Sequence, residues 1–169
     1  MAFRDVLAQL GAGMLTSVLI YALTLLFALP LALPLAFARG SRHRALRLPA
    51  AAYISFMRGT PLMLQILVVY FGPWYLLQIR ISASYKIYAV VIAFVLNYAA
   101  YFAEIYRAGL EGVPVGQREA ADVLGYTRAQ AFWRVVFPQV ARRILPPMTN
   151  EAITLIKDTS LAFAIGVMD

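Results

Sequence analysis

Residues 6–38 read VLAQLGAGMLTSVLIYALTLLFALPLALPLAFA, with no charge between Asp5 and Arg39. About 20 consecutive apolar residues cross the hydrocarbon core of a bilayer as a helix, so this run is long enough to span with tilt. Pro30 and Pro34 are predicted to bend the helix or finish it, because proline removes a donor and crowds the preceding turn. The stretch is too long for the apolar part of a secretory leader. Its basic cluster also follows the run instead of preceding it.

The rest of the chain agrees with a membrane solvent. Of 169 residues, 62% are hydrophobic and 14% charged, against about 25% charged in ordinary soluble domains. Mean hydropathy is +0.73. The length suits one domain, residues 1–169. There is no cysteine, which excludes disulfides, thiolate metal sites and a cysteine nucleophile. The lone histidine, His43, sits among arginines as a solvated loop residue with no second histidine to share a metal. The net charge of +7 would suggest nucleic acid in a soluble protein. Here the arginines flank apolar runs, so a lipid surface is the better reading and no nucleic-acid partner is expected.

Two further apolar runs follow. One extends from Pro61 to Leu77, with Thr60 as a candidate cap and Pro61 in its first turn. Gly72-Pro73 is predicted to end or kink it, and Trp74 and Tyr75 suit an interfacial anchor. The other runs from Ile87 to Ala103. A fourth stretch, Ile144 to Met168, is interrupted by Pro146-Pro147, Glu151 and Lys157-Asp158, which predicts a broken or shortened helix. The fold class expected is therefore all-α: a polytopic transmembrane helical bundle with four spans or near-spans. Basic segments stay in the cytoplasm. The loop from Arg39 to Arg58 holds five arginines, and the loop from Gln78 to Lys86 only Arg80 and Lys86. The segment after Ala103 again carries many arginines. This alternation places the N-terminus outside and the segment at about 105–143 inside.

That inner segment contains Glu119-Ala120-Ala121-Asp122-Val123-Leu124-Gly125 and, further on, Val135-Val136-Phe137-Pro138. The pattern predicts a short helix, a turn at Gly125 where glycine accepts a left-handed backbone, and a second helix that stops before Pro138. Gln130, Phe132 and Trp133 are candidates for a face offered to another protein.

This arrangement resembles the permease subunits of ATP-binding-cassette importers, whose cytoplasmic loop reads Glu-Ala-Ala, three residues, Gly, nine residues, Ile-any-Leu-Pro. The spacing matches without a gap, with Val135 for the isoleucine and Phe137 for the leucine. Arg58-Gly59-Thr60-Pro61-Leu62, Tyr101 to Arg107, Gly116 to Ala121, Leu145-Pro146-Pro147 and Lys157 to Leu161 are similar to the polar amino-acid uptake subfamily, in order along nearly the whole chain. The resemblance implies a bacterial inner-membrane location and alternating-access import of a polar amino acid, such as histidine, glutamine, glutamate, arginine or an opine. It implies coupling helices that dock on an ATPase through Glu119, Ala120, Ala121, Gly125 and Pro138. The implied partners are cytoplasmic ATPase subunits, a second permease chain and an extracytoplasmic solute-binding protein. It also implies a fifth span beyond Asp169, so the chain is expected to be a fragment or to lack that helix.

The chain has no Gly-x-x-x-x-Gly-Lys-Ser/Thr loop. It is expected not to be an enzyme and to hold no cofactor or metal, with ATP and Mg on the partner ATPase. Ionisable residues at membrane depth cost about 2.5 to 3.5 kcal/mol each, which singles out Lys157 and Asp158. Asp158 is a candidate to accept a solute ammonium, with free N–H groups of a helix start nearby to take a carboxylate. The candidate solute-pathway residues are Asn97, Tyr98, Tyr101, Asp158, Thr159 and Ser160. For Asn97, Tyr98 and Tyr101, interhelical bonding and packing is the favoured reading. Glu104 and Arg107 are spaced to pair on one helix face. A membrane enzyme lacks its serine–histidine pair, paired aspartates or metal cluster here. A secondary transporter or channel subunit lacks an internal repeat. A small membrane scaffold protein is the third alternative.

Overall fold

The computed structural model describes residues 3–78, 82 and 84–166. Arg80, Met168 and Asp169, which entered the loop and end-of-chain expectations, lie outside them. Helix α1 runs from Phe3 to Arg39 and includes Pro30 and Pro34, neither of which ends it. In lipid an unbonded backbone group has no water to turn to, so a helix gains more by continuing than by stopping. The buried stripe of α1 is Ile20, Thr24, Ala28, Ala32 and Ala36, each one turn from the next. Small side chains at that spacing let another backbone approach closely. The Thr24 hydroxyl donates to the Ile20 carbonyl at 2.7 Å, which leaves no polar atom bare on the stripe.

The neighbour that fills this groove is α4, Tyr85–Glu111. It is the central helix and also packs on α2, α3 and α7. Phe94, Tyr98 and Phe102 are its large buried side chains, interleaved with Ala89, Ala93, Ala99, Ala100 and Ala103. It does not finish near Ala103, where the apolar run fades. Arg107 bridges Glu104 and Glu111 on one face, and these charges carry the helix two turns further.

The expected basic loop after Arg39 is mostly a helix, α2, Arg44–Gly59, with His43 as its exposed N-cap residue. Its arginines leave Ala50 and Ile54 to be buried. Helix α3, Leu62–Leu77, follows after a bend of 107°. Arg58-Gly59-Thr60-Pro61 is thus the end of one helix as well as the start of the next. Thr60 does not cap α3; its hydroxyl donates back to the Phe56 carbonyl at 2.8 Å, closing α2. Gly72-Pro73 does not end α3, which continues to Leu77 and closes on Gln78 with φ 54°.

Beyond α4 come α5, Val115–Val123, and α6, Arg128–Ala131. A π turn, Phe132–Val136, leads directly into α7, Phe137–Asp158. The predicted stop before Pro138 does not occur. Proline in a helix clashes with the carbonyl four residues back; here that carbonyl, of Arg134, belongs to the widened π turn, which makes the room. Nor do Pro146-Pro147 break α7. The interruption comes at Asp158, where the chain tightens into a 3-10 segment, Thr159–Ile165.

By length and composition, α1 and α4 can each cross a membrane, and α2 with α3 makes a third crossing if the bent pair counts as one. Helix α7 does not join them, because Arg142, Arg143, Glu151, Lys157 and Asp158 dilute its apolar content. Helix α7, the expected shortened near-span, packs along α4.

Candidate functional site

Two features stand out from this scaffold: an exposed corner at α5–α6, and a polar seam where α4 meets α7.

The corner is built by backbone chemistry. Gly125 has φ +75°, the left-handed region that ends helices cheaply only for glycine. Its N–H donates to the Asp122 carbonyl at 3.0 Å, and the Tyr126 N–H to the Ala121 carbonyl at 3.0 Å, which satisfies the carbonyls at the end of α5. Two residues later Thr127 and Gln130 form a reciprocal capping box that starts α6. Gln130 is thereby engaged within the chain, not offered to a partner. Val113, Val136 and Val140 form a small separate core, flanked by Leu110, Phe132 and Ile144. That core fastens the corner to α4 and α7. Gln139 adds a link, its amide donating to Gln117 Oε1 at 3.2 Å.

The outer surface of the corner carries uncovered apolar side chains among exposed charged ones. Val123 is 88% exposed, Leu124 71% and Trp133 61%. Of the five predicted coupling residues, Glu119 and Ala120 face out, Ala121 is buried beneath them, Gly125 shapes the turn and Pro138 sits at the exposed start of α7. Val123 and Leu124 went unnoticed as surface residues. The tight turn at Gly125 beside them leaves both exposed.

In the seam, the Tyr98 hydroxyl donates to Asp158 Oδ2 at 2.7 Å, joining two separate candidates across α4 and α7. Tyr98 is 1% exposed. Thr159 donates to the Ile156 carbonyl at 2.7 Å and Ser160 to the Lys157 carbonyl at 2.8 Å, so both hydroxyls close the end of α7. The Thr159 N–H is bonded to Leu155. Asp158 consequently stands at a helix end rather than a start, and the free N–H groups expected beside it are not there. Tyr101 lies under the Arg58 guanidinium, 5.2 Å from ring centroid to carbon.

Asn97 belongs to a different unit. Its amide donates to Gln65 Oε1 at 3.0 Å and to the Met57 carbonyl at 3.1 Å. Gln65 in turn donates to Met57 O at 2.9 Å and Thr60 Oγ1 at 2.7 Å. These bonds clamp the α2–α3 bend to α4, in line with the packing reading of Asn97. Gln65, the missed member, was visible as the one amide inside the apolar run of α3.

The comparisons with known proteins fit this geometry. The family model described as "Binding-protein-dependent transport system inner membrane component" matches residues 28–168. The L-cystine transport system permease protein TcyL of Bacillus subtilis is 43% identical over 168 residues, 98% of this chain and 70% of the relative. The octopine transport system permease protein OccM of Rhizobium radiobacter is 44% identical over 144 residues, and the match spans 82% of this chain but only 59% of the relative. A solved structure described as an amino acid ABC transporter with histidines superposes with a TM-score of 0.84 at 32% identity, covering all of this chain and 78% of that one. With its bundle, its corner and its sequence all in agreement, this chain belongs to the family of binding-protein-dependent transport system inner membrane components.

Proposed function

We propose that this chain is the permease subunit of an ATP-driven importer that carries an amino acid or an amino-acid derivative across the bacterial inner membrane. The observation that carries the reading is the Tyr98–Asp158 contact: a half-buried carboxylate held by a buried tyrosine where α4 meets α7. Charge at that depth is costly, and a solute ammonium is a partner that would offset the cost. Relatives named for cystine and octopine transport support this solute class.

The corner supplies coupling. Two ATPase subunits close on ATP, and each grips the exposed Val123–Leu124 edge of one permease chain. The small valine core passes the displacement into α4 and α7. Two permease chains enclose the pathway, and an extracytoplasmic binding protein delivers the solute. ATP drives transport only because closure binds one membrane conformation better than the other. The corner faces the cytoplasm and the N-terminus the outside, as the arginine distribution supports.

The test is reconstitution with a partner ATPase and binding protein in liposomes. Uptake of labelled amino acid that requires ATP is the expected result. Uptake without ATP, driven by an ion gradient alone, would instead make the chain a secondary carrier.

A further inference from the structure

The long apolar run ends at Arg39, and Arg42, His43, Arg44 and Arg47 follow directly. No acidic residue occurs between Asp5 and Glu104, so nothing near in sequence neutralises these charges. Nor does the fold bring an acid to them. Among the described residues the ion pairs are those of Arg107 with Glu104 and Glu111. Arg39 is half-buried, and its charge acts on Glu104. Arg42, Arg44 and Arg47 are exposed and stand in no ion pair.

The backbone gathers these three. Helix α1 ends at Arg39 and α2 begins at Arg44. The turn between them is tight: the Gly40 N–H donates to the Ala36 carbonyl at 3.0 Å, and the His43 N–H to Ser41 Oγ at 3.1 Å. Arg44 and Arg47 are three apart, hence neighbours on one side of α2. No side chain caps the first turn of α2, so its N–H groups add to the positive potential there.

Apolar side chains stand among the arginines. Leu46 and Leu48 of α2 and Phe37 of α1 are each more than half exposed. Phe56 further along α2 is too, and no charge falls between Arg47 and Arg58. An acidic groove on a soluble protein would match the arginines and leave the leucines uncovered. A lipid surface matches both, since headgroups meet the guanidinium tips while the leucines reach the upper acyl chains. The level fits as well, because Arg39 closes a helix long and apolar enough to cross a membrane.

We propose that the α1–α2 turn is a binding site for an anionic phospholipid. Arg42, Arg44 and Arg47 hold its phosphodiester, and Leu46 and Leu48 lie against its chains. A guanidinium meets two phosphate oxygens at once with its planar fork. A basic cluster just beyond a membrane-crossing helix draws acidic headgroups from about a Debye length away, roughly 10 Å at 0.1 M salt. The bound lipid fixes the depth of this end of α2, whose other end is clamped to α4 through Gln65 and Asn97. The inference goes beyond the importer reading and does not depend on it.

The test is a lipid-contact measurement on the full chain assembled with its ATPase in phosphatidylcholine nanodiscs. The chain has no cysteine, so Ala45→Cys takes a single fluorophore before the ATPase is added. Its quenching is read with a small, equal fraction of phosphatidylglycerol or phosphatidylcholine carrying a nitroxide at the top of one acyl chain. Phosphatidylglycerol is expected to quench at least twice as strongly. Combining Arg42→Gln, Arg44→Gln and Arg47→Gln should remove at least half of that excess, and the matching lysine replacements should keep most of it. An excess below twofold overturns the site, as does one that survives the glutamine variant. Loss in the lysine variant as well would assign the effect to a disturbed turn rather than to charge, and also overturns it. Millimolar inorganic phosphate, against sodium chloride of equal ionic strength, is expected to leave the quenching unchanged; selective relief by phosphate would make this a site for a soluble anion. Quenching that appears only without the ATPase would give the arginines to that partner instead of the lipid. ATP-driven uptake is not read, so none of these outcomes bears on the importer reading.

Discussion

At the scale of single residues, the seam and the clamp are separable by substitution. Asp158→Asn keeps an oxygen that can accept the Tyr98 hydroxyl but loses the negative charge. Tyr98→Phe keeps the charge but removes the bond of 2.7 Å. If Asp158 holds an ammonium, the asparagine variant loses ATP-driven uptake by at least tenfold while its complex still assembles. The phenylalanine variant loses less. Unchanged uptake and unchanged solute-stimulated ATP turnover in Asp158→Asn would sink the assignment. Asn97→Leu makes a contrasting prediction. It leaves the buried Gln65 amide oxygen without its donor, while the Met57 carbonyl keeps the bond from Gln65, so stability falls by about 1–3 kcal/mol. The midpoint of thermal unfolding in detergent should drop by several degrees, with solute preference unaltered.

At the scale of elements, Gly125 is the decisive position. A β-branched residue at φ +75° is strained by about 1–2 kcal/mol, whereas asparagine enters that region more readily. Gly125→Val is expected to lose co-purification with the ATPase, and Gly125→Asn to keep most of it. Equal behaviour of the two variants would mean that the turn geometry does not set the docking surface. The other turning point, Thr60-Pro61, was legible only as a helix start. That α2 precedes it as a helix was hidden by the arginines, which mimic a loop in composition. Arg44 and Arg47 stay exposed at the start of α2, and only Ala50 and Ile54 further along it are buried. That none of the prolines inside α1, α3 and α7 ends its helix has a related reason. Rules drawn from helices in water overstate how readily a helix in lipid or against a protein core gives up its backbone bonds.

For the molecule as a whole, the absence of cysteine permits a direct test of sidedness. A single cysteine at position 123, Val123→Cys, is 88% exposed at its site and should leave the fold unaltered. A membrane-impermeant maleimide is expected to label it in inside-out vesicles and not in intact spheroplasts, and added ATPase subunit should protect it. Labelling from outside would reverse the orientation and remove the corner from any cytoplasmic partner.

The sequence alone determined the solvent, the helical class, the position of the Gly125 turn and the family resemblance, because these depend on run length, local backbone preference and fixed spacing. The tertiary structure alone decided which polar groups meet. Tyr98 and Asp158 are sixty positions apart, and Gln65 and Asn97 thirty-two. No local pattern encodes such pairings. They follow from the close approach of α3 and α7 to α4. At Gly109 the approach is so close that an added Cβ would lie 2.3 Å from Ile144 Cγ2, and that distance exists only once the helices have packed.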